Sequence, residues 1–555
     1  MKKNILYWNL LLNPHEYPKN IKEEYFQLYL NSRKSYTSWI GEISKNFKQS
    51  IDWWSSIPAS RNIYYSNLHK NISILETLKN LSKKYKKITI RLDSDDLKEI
   101  IKKWSSKKKI NIDFKFEKKT FFFYRNFLYF FNSLIFNLTI FLYINLFIKK
   151  INLKLKSQKE NIVLIDLFAT DKTLKKKNLY NNLDIYLEKK YIKNVFFVPT
   201  FVIKRNIFKV FKIINDLNGK NYVFKEHYLS LKDIFYSALH SFRKKKFLIN
   251  YKKYKEWDLS LCLHSEINNN INCYSEQTSI INYLFVKKLM LKKIKIYKVI
   301  NWFENQTIDK GWNMGFREFY KNREIIGYQG FLHYSQYMNT FPTSFEERAK
   351  VIPKKIISIG KAYIKLKKEF FPKAKVILGP ALNYTDVFKN YKKTRKIKIL
   401  VILSGIKNLD KVILDWVKYF LKRNKKFNVV IKPHPMYPIS DTHNQNNQIK
   451  ITNQNLSELL KKTDTAICSG PTGGSIESLA YSCYLICLVL DPCDNVNLNS
   501  LKIKKENFKL IENKQDLFKE IEKIYNKKKK FKFDQKIKNF LFEKLTDKNM
   551  QLFYK

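Results

Sequence analysis

Glycine, arginine and acidic residues are all scarce in this 555-residue chain. It has 12 glycines and 11 arginines, and its 48 acidic residues stand against 106 basic ones, which leaves a formal charge of +58. Nearly all of the excess is lysine, spread along the whole chain, whereas a nucleic-acid reader usually clusters its charge and uses arginine for forked contacts. We therefore predict no nucleic-acid partner, and a lysine-coated surface that is attracted to anionic membranes.

Cysteine is also sparse. The six cysteines include no C-x-x-C pair, which argues against a zinc site or a disulfide framework and favours a reducing compartment. The first residues form a short apolar run without a small-residue cleavage site, so they predict a β-strand and not a signal peptide. A cytoplasmic protein is expected.

Long apolar runs are present, and they predict an α/β fold. Two of them, 161–167 and 194–200, are continuous and rich in β-branched residues, as in parallel strands covered on both faces. Further predicted strands are 4–12, 87–92, 258–263, 298–303, 324–327, 356–360, 375–378, 397–403, 428–432, 465–468 and 484–490. Predicted helices include 23–29, 36–47, 72–85, 411–421, 456–461 and 474–481. This alternation is typical of Rossmann-type, doubly wound domains.

The segment 121–148 is unusually hydrophobic. Within it, 22 consecutive residues from 127 to 148 carry no charge, although five of them are polar. About 20 apolar residues span a bilayer, but a single crossing would put the α/β segments on either side of it in different compartments. We therefore predict a helix or short helical hairpin that lies in the membrane interface. A buried core helix and a membrane span are the alternatives.

Three of the 12 glycines fall within five residues, in the segment S-G-P-T-G-G-S-I-E-S-L at 469–479. The segment joins a predicted strand to a predicted helix, where free backbone N–H groups and the helix dipole form an anion site. The candidate phosphate-binding residues are Ser469, Gly470, Thr472, Gly473, Gly474 and Ser475. A plain turn and N-cap without a ligand is the alternative.

A second candidate loop is K-P-H-P at 432–435, directly after an apolar strand. Prolines restrict the backbone around His434, so that its imidazole and the Lys432 amine are aimed at low entropic cost. Ligands in open α/β sheets bind at the carboxyl ends of strands, so we expect this loop and the Ser/Gly loop to face one cleft.

The two loops together resemble the HP and Ser/Thr motifs of bacterial GT-B glycosyltransferases that use CMP-activated sugars, the sialyl-, polysialyl- and Kdo-transferases. The segments 301–318, 326–331, 352–361 and 379–382 are also similar to proteins of surface-carbohydrate (O-antigen or capsule) biosynthesis. Asn383 departs from that pattern, since an arginine is expected after G-P-A-L.

The resemblance implies a GT-B-like fold, two Rossmann-type domains facing a cleft, with a hydrophobic helical insertion in the first. It implies that His434, Ser469 and Thr472 hold the nucleotide phosphate and that Glu477 contacts the ribose. A CMP-sugar carries one phosphate diester, whose charge a histidine, a lysine and a helix N-terminus can offset without a metal ion. No cofactor is expected beyond the nucleotide-sugar substrate.

An acceptor hydroxyl needs a base if the sugar is transferred with inversion. Our candidate is Glu304, at the end of the apolar run 298–303, with Arg317 to orient it or to bind an anionic acceptor. Asp166 and Asp171 are the runner-up carboxylates. The residues leave inversion and retention equally open.

The predicted function is a metal-independent glycosyltransferase of surface-polysaccharide or lipopolysaccharide biosynthesis. Its partners would be a nucleotide-sugar donor and a lipid-linked or membrane-held glycan, at the inner face of the cytoplasmic membrane. The alternatives are a CDP-glycerol-type phosphotransferase or UDP-sugar GT-B enzyme, and a non-catalytic polysaccharide assembly factor. The predicted domains are 1–118, the first part of an N-terminal α/β domain; 119–150, the membrane-associating segment; 151–389, the rest of that acceptor-side domain; 390–515, the nucleotide-sugar domain; and 516–555, closing helices.

Overall fold

The computed structural model of the chain describes most of its residues. These are 3–117, 122–159, 162–170, 180–181, 183, 186–187, 194–201, 206–249, 251–332, 334–394, 396–435, 437, 447–470, 472–501, 503–526 and 535–554. Three parallel sheets organise them, one of three strands and two of six.

Residues 3–117, the N-terminal unit, form the three-stranded sheet, in the order β1-β2-β3. Its elements are β1 (Lys3–Asn9), α1 (Lys19–Lys45), α2 (Ile51–Trp54), α3 (Ile57–Ser60), α4 (Leu68–Lys84), β2 (Tyr85–Leu92), α5 (Asp95–Lys108) and β3 (Asn111–Phe116). The helices predicted at 23–29 and 36–47 are one continuous helix, because the residues between them, 30–35, also suit a helix and continue its buried stripe. The sequence predicts that residues 1–118 and 151–389 share a domain. In the structure the first segment forms a three-stranded sheet and the second forms a separate six-stranded sheet.

The hydrophobic segment forms α6 (Phe122–Phe147), followed by α7 (Leu153–Lys159). One stripe of α6 is buried against the protein, at Phe136, Ile140 and Ile144. The opposite stripe is exposed, so the helix lies along the surface of the fold.

The central domain (residues 162–389) is built on a six-stranded parallel sheet, in the order β5-β4-β6-β7-β8-β9. Its strands are β4 (Ile162–Ala169), β5 (Val195–Phe201), β6 (Ile296–Trp302), β7 (Glu324–Gln329), β8 (Lys355–Ser358) and β9 (Val376–Leu378). Its helices are α8 (Ile207–Leu217), α9 (Leu231–Ala238), α10 (His240–Arg243), α11 (Ser260–Asn268), α12 (Cys273–Leu291), α13 (Thr307–Phe319), α14 (Ser344–Arg348) and α15 (Lys361–Lys367).

The strand predicted at 258–263 is wrong, because these residues enter helix α11. The buried side chains Cys262, Leu263, Glu266 and Ile267 recur at helical spacing. A short apolar run does not distinguish a strand from a buried helix, and the run here was too short to show the longer period.

The C-terminal domain (residues 396–526) has the second six-stranded parallel sheet, in the order β12-β11-β10-β13-β14-β15. Its strands are β10 (Ile397–Ile402), β11 (Val429–Lys432), β12 (Ile449–Ile451), β13 (Thr463–Ser469), β14 (Tyr484–Leu488) and β15 (Phe508–Ile511). Its helices are α16 (Lys407–Arg423), α17 (Leu456–Leu460), α18 (Gly473–Ala480), α19 (Asp494–Asn499) and α20 (Lys514–Asn526).

The last helices, α21 (Gln535–Leu541) and α22 (Asp547–Met550), return to the central domain. The backbone N–H of Glu543 donates to Ile359 at 2.7 Å, and Glu543 accepts from the N–H of Ala381 at 2.9 Å. The two large sheets meet near the carboxyl ends of their strands, where the segment after β7 contacts the start of α18 through Tyr334 and Thr472. The predicted α/β fold class, with two doubly wound parallel sheets, is confirmed.

Candidate active site

In each large sheet the order of the strands reverses at one point, which leaves a crevice at the carboxyl ends of the two strands there. Ligands in such folds bind in this crevice. In the central domain the crevice lies between β4 and β6, because the chain moves from β4 to β5 on one side and returns to β6 on the other. In the C-terminal domain it lies between β10 and β13, for the same reason.

Glu304 follows β6 at the central crevice. Its carboxylate accepts hydrogen bonds from the Trp302 indole N–H at 2.8 Å and from the Gln306 side-chain amide at 3.2 Å. The next residue, Asn305, has a left-handed backbone with φ of 54° and is fully buried. Such strain persists only where the surroundings hold it, and here the Asn305 amide donates to Glu346 at 3.1 Å. Glu304 is therefore a half-buried carboxylate in a fixed position.

The N-terminal unit reaches into this crevice through the loop that follows α3. The Asn62 amide donates to Gln306 at 2.8 Å, so it supports the side chain that supports Glu304. The Tyr64 hydroxyl donates to that of Tyr337 at 3.0 Å, and the two rings lie 5.5 Å apart. Burial and the carboxylates of Asp491 and Glu304 raise the pKa of Tyr337 to about 12. Sequence reasoning missed these residues, because no local motif marks them.

Asp166, the runner-up carboxylate, lies inside the protein and not in the cleft. It is 3% exposed, and its carboxylate accepts from the Asn301 amide at 3.1 Å. Burial raises its pKa to about 6, although Lys225 acts in the opposite direction. Asp166 is part of a buried network. Asp171 lies outside the described residues.

At the crevice of the C-terminal domain, β13 ends at Ser469 and α18 begins four residues later. The Ser469 hydroxyl is fully buried and has no hydrogen-bond partner among the described residues. A Cβ atom on Gly470 would lie 1.8 Å from an oxygen of Asp494, so only glycine fits there. Thr472 is the N-cap of α18, and its hydroxyl accepts from the Gly474 N–H at 3.4 Å. Gly473 and Gly474 form the first turn, and the Ser475 hydroxyl donates to the Thr472 carbonyl at 2.8 Å.

The HP loop lies on the other side of β10. Its His434 ring packs against Gly405, where φ is +81° and a Cβ atom would lie 2.8 Å from the ring. The Lys432 amine is buried and donates to the Pro433 carbonyl at 3.1 Å. Since β11 and β13 both pair with β10, their two loops flank the loop that follows β10. The structure thus places His434 and Ser469 at the same sheet edge.

Glu477 lies one turn into α18. Its carboxyl group is partly accessible but surrounded by protein, and burial raises its pKa to about 7. Burial raises the pKa values of Tyr363, Tyr384 and Tyr481, and the negative charge of Glu477 raises them further. The hydroxyls of Tyr363 and Tyr481 have no partner among the described residues.

Arg317 is not brought to the cleft. It forms a two-bond ion pair with Glu347, at 2.7 and 2.9 Å, and also donates to the Ile352 carbonyl. Glu304 precedes the first residue of α13, Thr307, whereas Arg317 lies in the last turn, about 15 Å from Thr307 along the axis at 1.5 Å per residue. The expectation that Arg317 orients Glu304 is therefore wrong, because a helix that long separates them.

The two crevices are held against each other by the segment 334–337. Its Tyr334 hydroxyl donates to the Thr472 carbonyl, at the N-terminus of α18. The Gln336 amide donates to Asp494 at 2.8 Å and accepts from Asn497 at 2.6 Å. This segment therefore joins the crevice that carries Glu304 to the crevice that carries the Ser/Gly loop.

Comparisons with known proteins show similarity in structure only. The sequence matches no protein-family profile and no curated protein. The fold is similar to UDP-GlcNAc 2-epimerase from Methanocaldococcus jannaschii, at 14% identity over 68% of this chain and 98% of that one, with a TM-score of 0.38. It is also similar to MurG of Acinetobacter baumannii, at 8% identity over 71% and 97% of the two chains, with a TM-score of 0.38. These values assign no activity to this chain.

Among the described residues, no group of three or more His, Cys, Asp and Glu side chains is placed to hold a metal ion. All six cysteines are buried free thiols. The chemical groups at the two crevices are thus a carboxylate, an imidazole, hydroxyls and the N–H groups of a helix start.

Proposed function

We propose that this chain is a glycosyltransferase that moves a sugar from a CMP-activated donor to a membrane-held glycan of a surface polysaccharide. The observation that carries the proposal is the pairing of the two crevices. One presents a fixed carboxylate, Glu304, and the other presents the start of α18 at the partly accessible Gly473, next to the buried Ser469 hydroxyl. The free backbone N–H groups and the positive end of the helix dipole at a helix start favour a phosphate.

The donor would bind in the C-terminal domain. Its phosphate would accept hydrogen bonds from Ser469, from Thr472 and from the N–H groups at the start of α18, with the positive end of the helix dipole behind them. His434, on the far side of β10, would donate to a second phosphate oxygen. The Glu477 carboxyl group, one helical turn further on, would accept from a ribose hydroxyl.

The acceptor would enter from the central domain. In transfer with inversion, the acceptor oxygen attacks the anomeric carbon, and the bond from that carbon to the phosphate oxygen breaks with its electron pair left on the phosphate. Glu304 takes the proton of the acceptor hydroxyl. The positive groups around the phosphate lower the barrier, since they stabilise the charge that develops on the leaving group.

A thermal-shift and turnover panel tests this proposal. We expect CMP to raise the melting temperature of the purified protein, because a ligand of the native state stabilises it by about 2.7 kcal/mol at 100 times its Kd. We also expect release of CMP from a CMP-sugar, and its loss in Glu304→Gln. Stabilisation by UDP or CDP but not by CMP would contradict a CMP-activated donor. No response to any nucleotide would favour a non-catalytic assembly factor.

A further inference from the structure

The outward side of α6 is mostly apolar, although Arg125, Asn132 and Asn145 are also exposed along the helix. Most of its exposed apolar side chains recur at helical spacing on the side opposite the buried stripe. Those more than a third exposed are Tyr124, Phe127, Leu128, Phe131, Ile135, Leu142, Leu146 and Phe147. Among the described helices, this one is long and apolar enough to cross a membrane.

Neighbouring helices extend this surface on both sides. The stripe Leu231, Phe235, Leu239 and Phe242 on α9 and α10 is 46–55% exposed, and the Phe242 ring lies 5.4 Å from Phe130 of α6. On the other side, Phe208 of α8 is 77% exposed and lies against Phe211, whose ring stacks on Tyr143 at 3.9 Å. We call the exposed apolar side chains of α6, α8, α9 and α10 the apolar face. A contiguous patch of this kind on a soluble surface marks an interaction site.

The rim of the apolar face is basic. Its exposed cations are Arg125, Lys149, Lys150, Lys209, Lys212, Lys232, Lys245 and Lys246, of which Lys246 is paired with Asp52 at 3.3 Å. The same helices and their flanking residues contain two acidic residues, Asp216 and Asp233, and Asp233 is paired with Lys288 at 3.1 Å. An apolar surface with a cationic rim matches the acyl chains and headgroups of an anionic bilayer.

The structure also shows how α6 is retained by the protein. Its Ser133 hydroxyl and Asn137 amide both donate to Gln277 of α12, at 2.9 and 2.8 Å. The imidazole of His227 is 3.1 Å from the carbonyls of Ile144 and Ile148, near the other end of the helix. A membrane span would break these contacts and expose the buried stripe, so α6 can enter the membrane only on its outward side.

We propose that the apolar face is a composite membrane-contacting surface that lies flat in one leaflet of an anionic bilayer, with α8, α9 and α10 inserting beside α6. Asn126, near the start of α6, contacts Asn270, and nearby Asn272 donates to Thr307, the first residue of α13 after Glu304. The start of α6 thus lies at the same end of the central domain as Glu304. Membrane contact stands independently of the proposed activity, since it requires no sugar donor.

Co-sedimentation of the full chain with lipid vesicles tests the composite surface. We expect binding to vesicles of phosphatidylcholine with phosphatidylglycerol and weaker binding to phosphatidylcholine alone. Phe235→Ser with Phe242→Ser, which leaves α6 untouched, should weaken binding at least tenfold, and so should Phe127→Ser with Ile135→Ser. The control, Ile5→Ser with Leu12→Ser, alters exposed apolar residues of the N-terminal unit and should bind like the wild type.

Three results would overturn this proposal. Undiminished binding of the Phe235/Phe242 variant, with an unchanged circular dichroism melt, would restrict membrane contact to α6. Resistance of the bound protein to alkaline carbonate extraction would indicate a span. A lipid-free dimer that dissociates in the Phe235/Phe242 variant, together with no vesicle binding by the wild type, would assign the face to a second copy of the chain.

Discussion

His434 is the residue on which the donor half of the site depends most. It is held at the sheet edge by its packing against Gly405 and not by the hydrophobic core. We expect His434→Ala to lower turnover by about 10²–10³-fold, as loss of one donor to a developing negative charge does, with little change in melting temperature. Initial rates with a CMP-sugar would measure this.

His264→Ala is the matched control, since His264 is also half-buried but donates to the Ile249 carbonyl at 2.8 Å, far along the chain from Glu304 and His434. Its turnover should equal that of the wild type. Wild-type turnover in His434→Ala itself would remove the histidine from the site.

Glu477 should make stability depend on pH. Its ordinary pKa is 4.5, and burial raises the pKa in the folded protein to about 7. Between these values the folded state binds the proton more tightly than the unfolded state, so the free energy of unfolding falls as pH rises through this window. Glu477→Gln removes this contribution and should gain about 1–3 kcal/mol over the wild type at pH 8, with little gain at pH 4.

Urea unfolding of both proteins at pH 4, 6 and 8 would measure the difference. The control is Glu458→Gln on the adjacent α17, since that side chain is 50% exposed and should leave the pH dependence unchanged. Equal pH slopes for Glu477→Gln and the wild type would show that the carboxyl group is not buried as described.

At the scale of single residues, motifs indicated the donor half of the site better than the acceptor half. His434 and Ser469 lie in short motifs directly after predicted strands. Because neighbouring parallel strands end at the same edge of a sheet, the sequence predicts that the two residues share that edge. Glu304 was predicted from its position at the end of a strand, but the residues that hold its carboxylate in place were not predicted. Asn62 is 242 positions earlier in the chain, and no periodicity links residues so distant in sequence.

At the scale of elements, the loop that carries Asn62 belongs to the N-terminal unit yet supports a side chain of the central domain. Asn62→Ala removes the donor to Gln306 and should loosen the Glu304 carboxylate. We expect turnover to fall by about tenfold with the KM for the donor unchanged, since a misplaced base slows proton transfer and leaves donor contacts intact. A shift in the pH profile of kcat would separate this positioning role from a structural one.

Asn46→Ala, at the exposed end of α1 in the same unit, is the control and should keep wild-type kinetics. An Asn62→Ala protein with an unchanged kcat and pH profile would mean that Gln306 holds Glu304 without help from the N-terminal unit.

The strands of the two large sheets were predictable because their runs are continuous, buried and β-branched. The short edge strands β12 and β15 were not, because a lysine interrupts the apolar run of each. The helix predicted within 121–148 is present, and its contact with a membrane stays a prediction. Its two stripes differ in burial but not in hydrophobicity, so only packing distinguishes them.

At the scale of the whole molecule, the chain enters the C-terminal domain and then returns to the central domain. The return segment closes part of the central core with Leu541 and Phe542, both fully buried, and the Phe542 ring stacks on Tyr384 at 4.5 Å. Because this segment is joined to both domains, it helps to fix the position of one crevice relative to the other. Composition predicted closing helices at 516–555, but not where they pack.

Phe542 should therefore matter more to stability than its position near the end of the chain suggests. We expect Phe542→Ala to lower the free energy of unfolding by about 3–5 kcal/mol, since it leaves a cavity in a closed core. Phe540→Ala is the matched control, because Phe540 is 38% exposed and should cost under about 1 kcal/mol. Chemical denaturation of both variants measures the difference, and equal losses would show that the return segment is not packed on the central domain.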